Sequence, residues 1–233
     1  MRVILLLGTN FARTQWIAAS IMTVYLAGIG VVFGWHERQP DARFFLEWHS
    51  YYVILLVTMI AIPAIWSERK SRRILAVLSK GIGRWQYLGG ILFGCTMIGA
   101  WLCFVVGAVT VWLFHKGGGH ASGVPALTLV LFLCSVTAAA VALFCSVFLH
   151  PLLAAVATLV ILLLPLATEG AGWYPPGELF PVTAVIRVLR DFQFQRLGSG
   201  IWTIAAGALL EAIFFWVAAS MAFRRRDVTI LPE

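Results

Sequence analysis

Long runs of apolar residues follow one another along the whole chain, separated by short polar segments. Six of these runs are long enough to cross a membrane as helices, because about 20 mostly apolar residues rising about 1.5 Å each span a hydrocarbon core of about 30 Å. The six runs cover residues 14–35, 50–67, 85–114, 121–149, 151–168 and 197–223. The pattern therefore predicts an all-α integral membrane protein with six transmembrane helices, forming a single domain over residues 1–233.

Apolar run length alone does not define two boundaries in this pattern. Pro151 lacks a backbone N–H and disfavours helical conformation at His150, so we predict a tight turn between the fourth and fifth runs. The amino-terminal run from Val3 to Leu7 is shorter than the apolar core of a secretory signal. We expect this segment to lie at the membrane surface or to lead into the first span.

The composition agrees with a polytopic membrane protein. Of the 233 residues, 61% are apolar and 12% are charged, whereas a soluble domain carries about 25% charged residues. The mean hydropathy is +0.92. These values exclude a disordered chain, a disulfide-rich secreted module and an ordinary soluble enzyme. The four cysteines all lie inside apolar runs, where we interpret them as small apolar side chains.

The positive charge of the chain follows its predicted orientation. The net charge of +7 fits contact with anionic lipid headgroups, so we expect no nucleic-acid partner. If the amino terminus is cytoplasmic, eleven Lys and Arg residues fall in inside segments and six in outside segments. Because cytoplasmic loops carry the excess of positive residues, we predict that both termini are cytoplasmic.

The loop between the second and third runs carries the most information about function. Residues 68–90 read ERKSRRILAVLSKGIGRWQYLGG. Ile74, Leu75 and Leu78 fall at helical spacing and form one apolar edge behind a basic front, which predicts a short amphipathic helix. A helix lying on anionic lipid would explain the charges. An apolar edge in a cytoplasmic loop also suits docking into a groove on a partner protein.

This loop resembles the corresponding loop of the permease subunits of type-2 ABC exporters. The similar features are the Glu-Arg start, the leucine-rich short helix, and the Arg, aromatic residue and Leu-Gly pair that open the third span, here Glu68-Arg69, Ile74-Leu75 with Leu78, Arg84, Tyr87 and Leu88-Gly89. The string Phe223-Arg224-Arg225-Arg226-Asp227 after the last run is also similar to that family. The resemblance implies that the amphipathic helix is a coupling helix, with ATPase contacts at Glu68, Arg69, Arg72, Arg73, Ile74, Leu75, Leu78 and Arg84.

The resemblance also implies partners and a location. Two such membrane domains, either two copies of this chain or one copy and a related permease, would pair around a transport path in the cell membrane of a bacterium. A cytoplasmic ABC ATPase subunit would bind ATP and Mg and drive each membrane domain. Because the apolar runs offer little polar lining, we expect an amphipathic or lipid-linked substrate.

The chain has no sequence motif for ATP hydrolysis of its own. A phosphate-binding loop ends in Gly-Lys-Ser or Gly-Lys-Thr, and no Gly-Lys pair occurs here. The five histidines match no zinc spacing, and no catalytic set stands out. We therefore expect a permease subunit that is not itself an enzyme and that carries no cofactor or metal.

The segment between the fifth and sixth runs mixes turn residues, aromatic residues and a short amphipathic stretch. We expect a re-entrant helical segment that dips into the outer leaflet and acts as an outer gate. An amphipathic helix lying flat on the surface is the alternative. The candidate gate residues are Trp173, Tyr174, Phe180, Ile186, Arg187 and Arg190.

Glu211 interrupts the last apolar run near its middle. An unpaired charge there costs roughly 2.5–3.5 kcal/mol, so the carboxyl must be neutral, paired or facing water. Either a structural partner inside the bundle or a place on the substrate path would satisfy this requirement. In the third run, Gly90 and Gly94 are spaced to allow close helix contact.

Two other classes of function remain open from the sequence. A non-transporting membrane scaffold or lipid-binding regulator would explain the basic loop without an ATPase partner. An intramembrane enzyme acting on lipid would need clustered His, Asp or Glu residues near one membrane face, which Glu211 alone does not provide.

Overall fold

The described part of the chain consists of helices joined by short connections. The structure is a computed structural model that describes residues 2–35, 39–70, 79, 81–117, 121–170, 181–190 and 200–225. Eight α-helices and no strands occur in those ranges: α1 (Arg2–Thr14), α2 (Trp16–Trp35), α3 (Gln39–Lys70), α4 (Arg84–Lys116), α5 (Val124–Phe148), α6 (Pro151–Gly170), α7 (Pro181–Arg190) and α8 (Gly200–Arg225).

Five of these helices are long and apolar enough to cross a membrane. They are α2, residues Phe44–Glu68 of α3, α4, α5 and residues Ile201–Arg224 of α8. The chain is therefore a multi-pass membrane protein. The predicted fifth span corresponds to α6, whose apolar part covers Pro151–Leu164. That α6 crosses the membrane, as a sixth span, stays a prediction.

Helices α4 and α5 form the centre of the bundle. Helix α4 contacts α1, α2, α3, α5 and α8, and α5 packs extensively against α3 and α8. A Cβ atom added at Gly99 would lie 2.8 Å from Ser135 Oγ and 3.5 Å from a methyl group of Val57. Gly99, Ser135 and Val57 each lie near the middle of their helix, so their contact marks the middle level of the bundle.

Helices α1 and α2 together follow α4 along its whole length and in the same direction. A Cβ atom at Gly8 would lie 2.8 Å from the carbonyl oxygen of Gly90. Further along, Gly30 meets the Val109 side chain, and Gly34 meets Leu113. The two helices are separated only by a turn at Gln15. The amino-terminal segment thus leads into the first span and lies beside the first third of α4.

Small residues permit this close approach of α1 to α4. The predicted close contact at Gly90 and Gly94 is confirmed. A Cβ atom at Gly94 would lie 2.7 Å from the Phe11 ring and 2.8 Å from the carbonyl oxygen of Gly8, and one at Gly90 would lie 2.6 Å from Leu7 Cβ. Three glycines on two helices therefore form one tightly packed crossing, as small residues do between membrane helices.

Helix α3 extends beyond the predicted limits of the second span. Helix α3 begins at Gln39 and continues through Pro63 to Lys70, which gives it a length of about 48 Å. Charged and polar residues before position 50 suggested a loop, but Pro40 is well placed in the first turn of a helix. The predicted turn at His150 is confirmed, because α5 ends at Phe148 and α6 begins at Pro151.

Candidate coupling face and grooves

The connection from α3 to α4 carries the residues predicted to contact an ATPase. Glu68 and Arg69 lie in the last turn of α3, and Arg84 is the first residue of α4. The remaining predicted contact residues lie outside the described part of the chain: Arg72, Arg73, Ile74, Leu75 and Leu78. Gly81 has a φ of 77°, a left-handed conformation that glycine adopts without strain.

Arg84 joins the start of α4 to the end of α8. Its Nη1 donates hydrogen bonds to the carbonyl oxygens of Phe223, at 2.9 Å, and Arg224, at 3.1 Å. Its guanidinium also lies 5.8 Å from the centroid of the Phe223 ring, within the range of a cation–π interaction. The last carbonyl groups of a helix lack partners in their own helix and carry partial negative charge. Arg84 satisfies two of them in α8.

A second cation has the same role at the opposite end of α4. Lys116 Nζ donates a hydrogen bond of 2.6 Å to the carbonyl oxygen of Gly34, in the last turn of α2. The ammonium group also lies 5.8 Å from the centroid of the Trp112 ring. Helix α4 is therefore bonded at each end to the final turn of a different helix.

Helix α7 packs against the bundle, whereas the sequence left a surface location open. Val182, Thr183, Ala184 and Val185 are buried. The Cys134 thiol donates a hydrogen bond of 3.5 Å to the carbonyl oxygen of Pro181, and α7 contacts α3, α5, α6 and α8. Cys134 lies ten residues after the first residue of α5, so the start of α7 packs about 15 Å along α5 from its first turn.

The predicted gate residues are placed only in part. Ile186, Arg187 and Arg190 belong to the second half of α7, and Trp173, Tyr174 and Phe180 lie outside the described residues. That α7 re-enters the membrane rather than lying flat on its surface stays a prediction. The role of the predicted gate residues also stays a prediction.

A groove of about 400 Å³ lies between α3, α6 and the first turn of α7. We call it the outer groove, after the orientation predicted from the sequence. Its walls are almost entirely apolar or aromatic, with Trp48, Tyr52, Leu55, Leu162, Leu163 and Val182 among them. Trp48, Leu55 and Leu163 are exposed in the described part of the chain, so the groove opens sideways from the bundle. Such a volume and lining suit an apolar ligand.

Glu211 lies near the middle of α8. Its side chain is half-buried and lies within electrostatic range of the Cys134 thiol, which contacts the start of α7. On the same helix, the carbonyl oxygen of Ala208 accepts a hydrogen bond of 2.8 Å from Thr137 Oγ1. No ion pair joins Glu211 to another described residue. Both predicted roles of this carboxyl stay open.

The sequence analysis missed a second groove, which lies between α1, α2 and α4. We call it the α1–α4 groove. It has a volume of about 350 Å³ and is lined in part by Thr9, Arg13, Trp16, Met97, Ile98 and Trp101. The sequence signal was the amphipathic pattern of residues 2–14, where Asn10 and Arg13 interrupt apolar residues. The segment is too short and too polar to be predicted as a membrane span from its apolar run length.

Within the described ranges, no three His, Cys, Asp or Glu side chains come close enough to hold a metal ion. The expected absence of a metal or cofactor in this chain stays a prediction. His150 instead has a structural role. Its Nδ1 accepts a hydrogen bond of 3.4 Å from the backbone N–H of Leu152 at the start of α6, and its ring packs on Trp66 at 4.7 Å.

Comparison with known protein families and with characterised proteins found no match to this chain.

Proposed function

We propose that this protein is the membrane-spanning subunit of an ABC exporter. In this proposal α6 is a sixth span, both termini are cytoplasmic, and a separate ATPase subunit binds ATP and Mg. A second copy of the chain, or a related permease, completes the transport path. The observation that carries the proposal is the basic, leucine-containing segment at residues 68–84, placed between two long membrane helices.

The packing of α4 supports a coupling role for that segment. The segment leads directly into Arg84, which bonds to the end of α8. Helix α4 also packs against α1, α2, α3 and α5. A force applied by an ATPase to the segment would therefore reach α4 and, through its contacts, most of the bundle. Packed helices shift between discrete arrangements rather than deforming continuously, so such a force can change the shape of a path.

The outer groove and α7 suit the export of an amphipathic or lipid-linked substrate. The groove is apolar and opens sideways, which would admit an acyl or isoprenoid chain. Helix α7 lines its floor through Val182, so a movement of α7 would alter the groove. In this proposal α7 acts as the outer gate.

A pull-down tests the proposal. The protein is solubilised in mild detergent from its native membranes with ATP present, and co-purifying proteins are identified. We expect a stoichiometric ATPase subunit, and we expect its loss from a variant carrying Leu75→Asp and Leu78→Asp. Two carboxylates on the apolar edge would prevent docking into an apolar groove.

A charge-matched variant controls for the added acids. Ala76→Asp with Val77→Asp places two carboxylates away from the apolar edge of the same predicted helix, so the ATPase should still co-purify. Recovery of the chain without any ATPase would contradict the proposal and favour a lipid-binding scaffold. Equal loss of the ATPase from both double variants would contradict the assigned edge.

A further inference from the structure

Arg13, on the polar face of α1, lies beside the middle part of α4, a helix long and apolar enough to cross a membrane. Arg13 lines the α1–α4 groove together with Met97 and Ile98. Those residues adjoin Gly99, which meets Ser135 and Val57 at the middle level of the bundle. The backbone of Arg13 is therefore far from either end of α4, about 20 Å from its start.

Its surroundings make this position costly in lipid. The outward faces of α2 and α8 at similar levels carry exposed apolar side chains such as Ile17, Ile21 and Phe214. Arg13 is also exposed, and it forms no ion pair with any residue in the described part of the chain. Helical side chains lean towards the amino terminus, so the guanidinium reaches part of the way towards the inner surface. It still needs an anionic or aqueous partner, because charges within the hydrocarbon are strongly disfavoured.

The rest of the groove can hold a hydrophobic chain. The rings of Trp16 and Trp101 lie 6.2 Å apart and line the groove with Met97 and Ile98. The Trp101 ring is held in place because its Nε1 donates a hydrogen bond of 3.0 Å to Thr23 Oγ1 on α2. The volume of about 350 Å³ falls within the range of small-molecule sites. One cation next to an aromatic and apolar wall matches a ligand with an anionic head and an apolar chain.

We propose that the α1–α4 groove binds an anionic amphiphile, with Arg13 holding its phosphate or carboxylate and Trp16, Met97 and Trp101 packing on its chain. The ligand enters sideways from the bilayer, since Trp16 and Met97 are exposed. The site is separate from the outer groove and from the coupling segment. It needs no ATPase, so it stands or fails independently of the proposed export function.

Native mass spectrometry of the purified full chain tests this site. The protein is titrated with dioleoyl phosphatidylglycerol and with dioleoyl phosphatidylcholine, which differ in headgroup charge. We expect tighter binding of phosphatidylglycerol. Arg13→Gln should weaken that binding about tenfold, the scale of a lost hydrogen bond to a charged group, and weaken phosphatidylcholine binding less, because choline offsets the phosphate charge. Arg13→Lys should keep most of the preference.

Arg2→Gln is the matched control, because Arg2 is an exposed cation of the same helix and is absent from the groove lining. It should change phosphatidylglycerol binding by less than twofold. Equal affinity for the two lipids, or equal losses from Arg13→Gln and Arg2→Gln, would overturn the proposal. Retained helical circular dichroism and a single size-exclusion peak verify that each variant is folded.

A second measurement locates the ligand and identifies its class. Phosphatidylglycerol brominated in its acyl chains should quench tryptophan fluorescence, and this quenching should fall when Trp16→Phe and Trp101→Phe are combined. Inorganic phosphate at millimolar concentration should not displace the lipid, because it lacks the apolar chain. Displacement by phosphate would show a free-anion site and overturn the assignment to an amphiphile.

Discussion

Arg84 and Phe223 are 139 residues apart in the chain and are joined by a hydrogen bond of 2.9 Å from the guanidinium to the backbone carbonyl oxygen. The same guanidinium lies over the Phe223 ring. We expect Arg84→Gln to destabilise the folded protein by about 1.5–3 kcal/mol, because the bond involves a charged donor and helix-terminal acceptors. Thermal unfolding in detergent would measure the change.

Arg224 provides the control for this prediction. Its carbonyl oxygen accepts a hydrogen bond from Arg84, and its side chain is exposed. Arg224→Gln keeps the acceptor and should leave the unfolding temperature nearly unchanged. If Arg84→Gln and Arg224→Gln lowered the unfolding temperature equally, the cause would be the general loss of positive charge rather than the loss of these hydrogen bonds.

The glycine crossing of α1 and α4 should tolerate no added methyl group. Gly94→Ala would place Cβ 2.8 Å from the carbonyl oxygen of Gly8 and 2.7 Å from the Phe11 ring, so the helices must separate. We expect a loss of about 1–3 kcal/mol, the usual cost of overpacking. Differential scanning fluorimetry would report it as a lower unfolding temperature.

Gly28→Ala is the matched substitution in an open position. A Cβ atom there meets nothing within 4 Å, and Gly28 lies inside α2. Alanine favours a helix over glycine by about 1 kcal/mol, so this variant should be neutral or more stable. If Gly28→Ala lowered the unfolding temperature as much as Gly94→Ala, the loss could not be attributed to the close contact of α1 with α4.

Thr137 joins α5 to α8. Its buried hydroxyl oxygen Oγ1 lies 2.8 Å from the carbonyl oxygen of Ala208 and 3.1 Å from that of Leu133. Thr137→Val keeps the shape and removes the donor, so we expect a loss of about 0.6–1.7 kcal/mol, the range measured for such bonds between membrane helices. Thr110 donates only within its own helix, so Thr110→Val should cost less. Equal losses of stability from Thr137→Val and Thr110→Val would mean that the hydrogen bond between α5 and α8 does not stabilise the fold.

Glu211→Gln distinguishes the two roles left open for this carboxyl. If the carboxyl faces the transport path without a structural partner, the neutral amide should leave the unfolding temperature unchanged or higher, since an unpaired charge in this environment is costly. We expect this result, together with slower transport by the assembled complex. A lower unfolding temperature with unchanged transport would instead show a structural partner.

Much of the fold followed from apolar run length alone. The limits of α4, α5 and α8 lie within three residues of the predicted spans, because uncharged runs of this length have few other stable arrangements in lipid. Helix α3 extends past its predicted span, and run length did not decide whether α1 lies at the membrane surface or leads into the first span. Helices continue past the hydrocarbon wherever tertiary contacts support them, and a hydropathy count cannot detect those contacts.

Sequence patterns predicted less of the candidate sites than of the fold. The pairing of Arg84 with Phe223 and of Lys116 with Gly34 depends on which helices are neighbours, and no local pattern encodes this. The α1–α4 groove was missed because it forms where α1 packs beside α4, and no local sequence pattern encodes that packing. Gly90 and Gly94 were found in advance because their spacing is itself a packing signal.

The bond between Arg84 and the end of α8 also has a consequence for synthesis. At about 5–20 residues per second, the ribosome needs on the order of ten seconds after making Arg84 to reach Phe223, 139 residues later. During that interval α4 is present while the carbonyl groups that Arg84 binds do not yet exist. Chains interrupted before α8 would therefore lack the two hydrogen bonds that join the start of α4 to the last turn of α8.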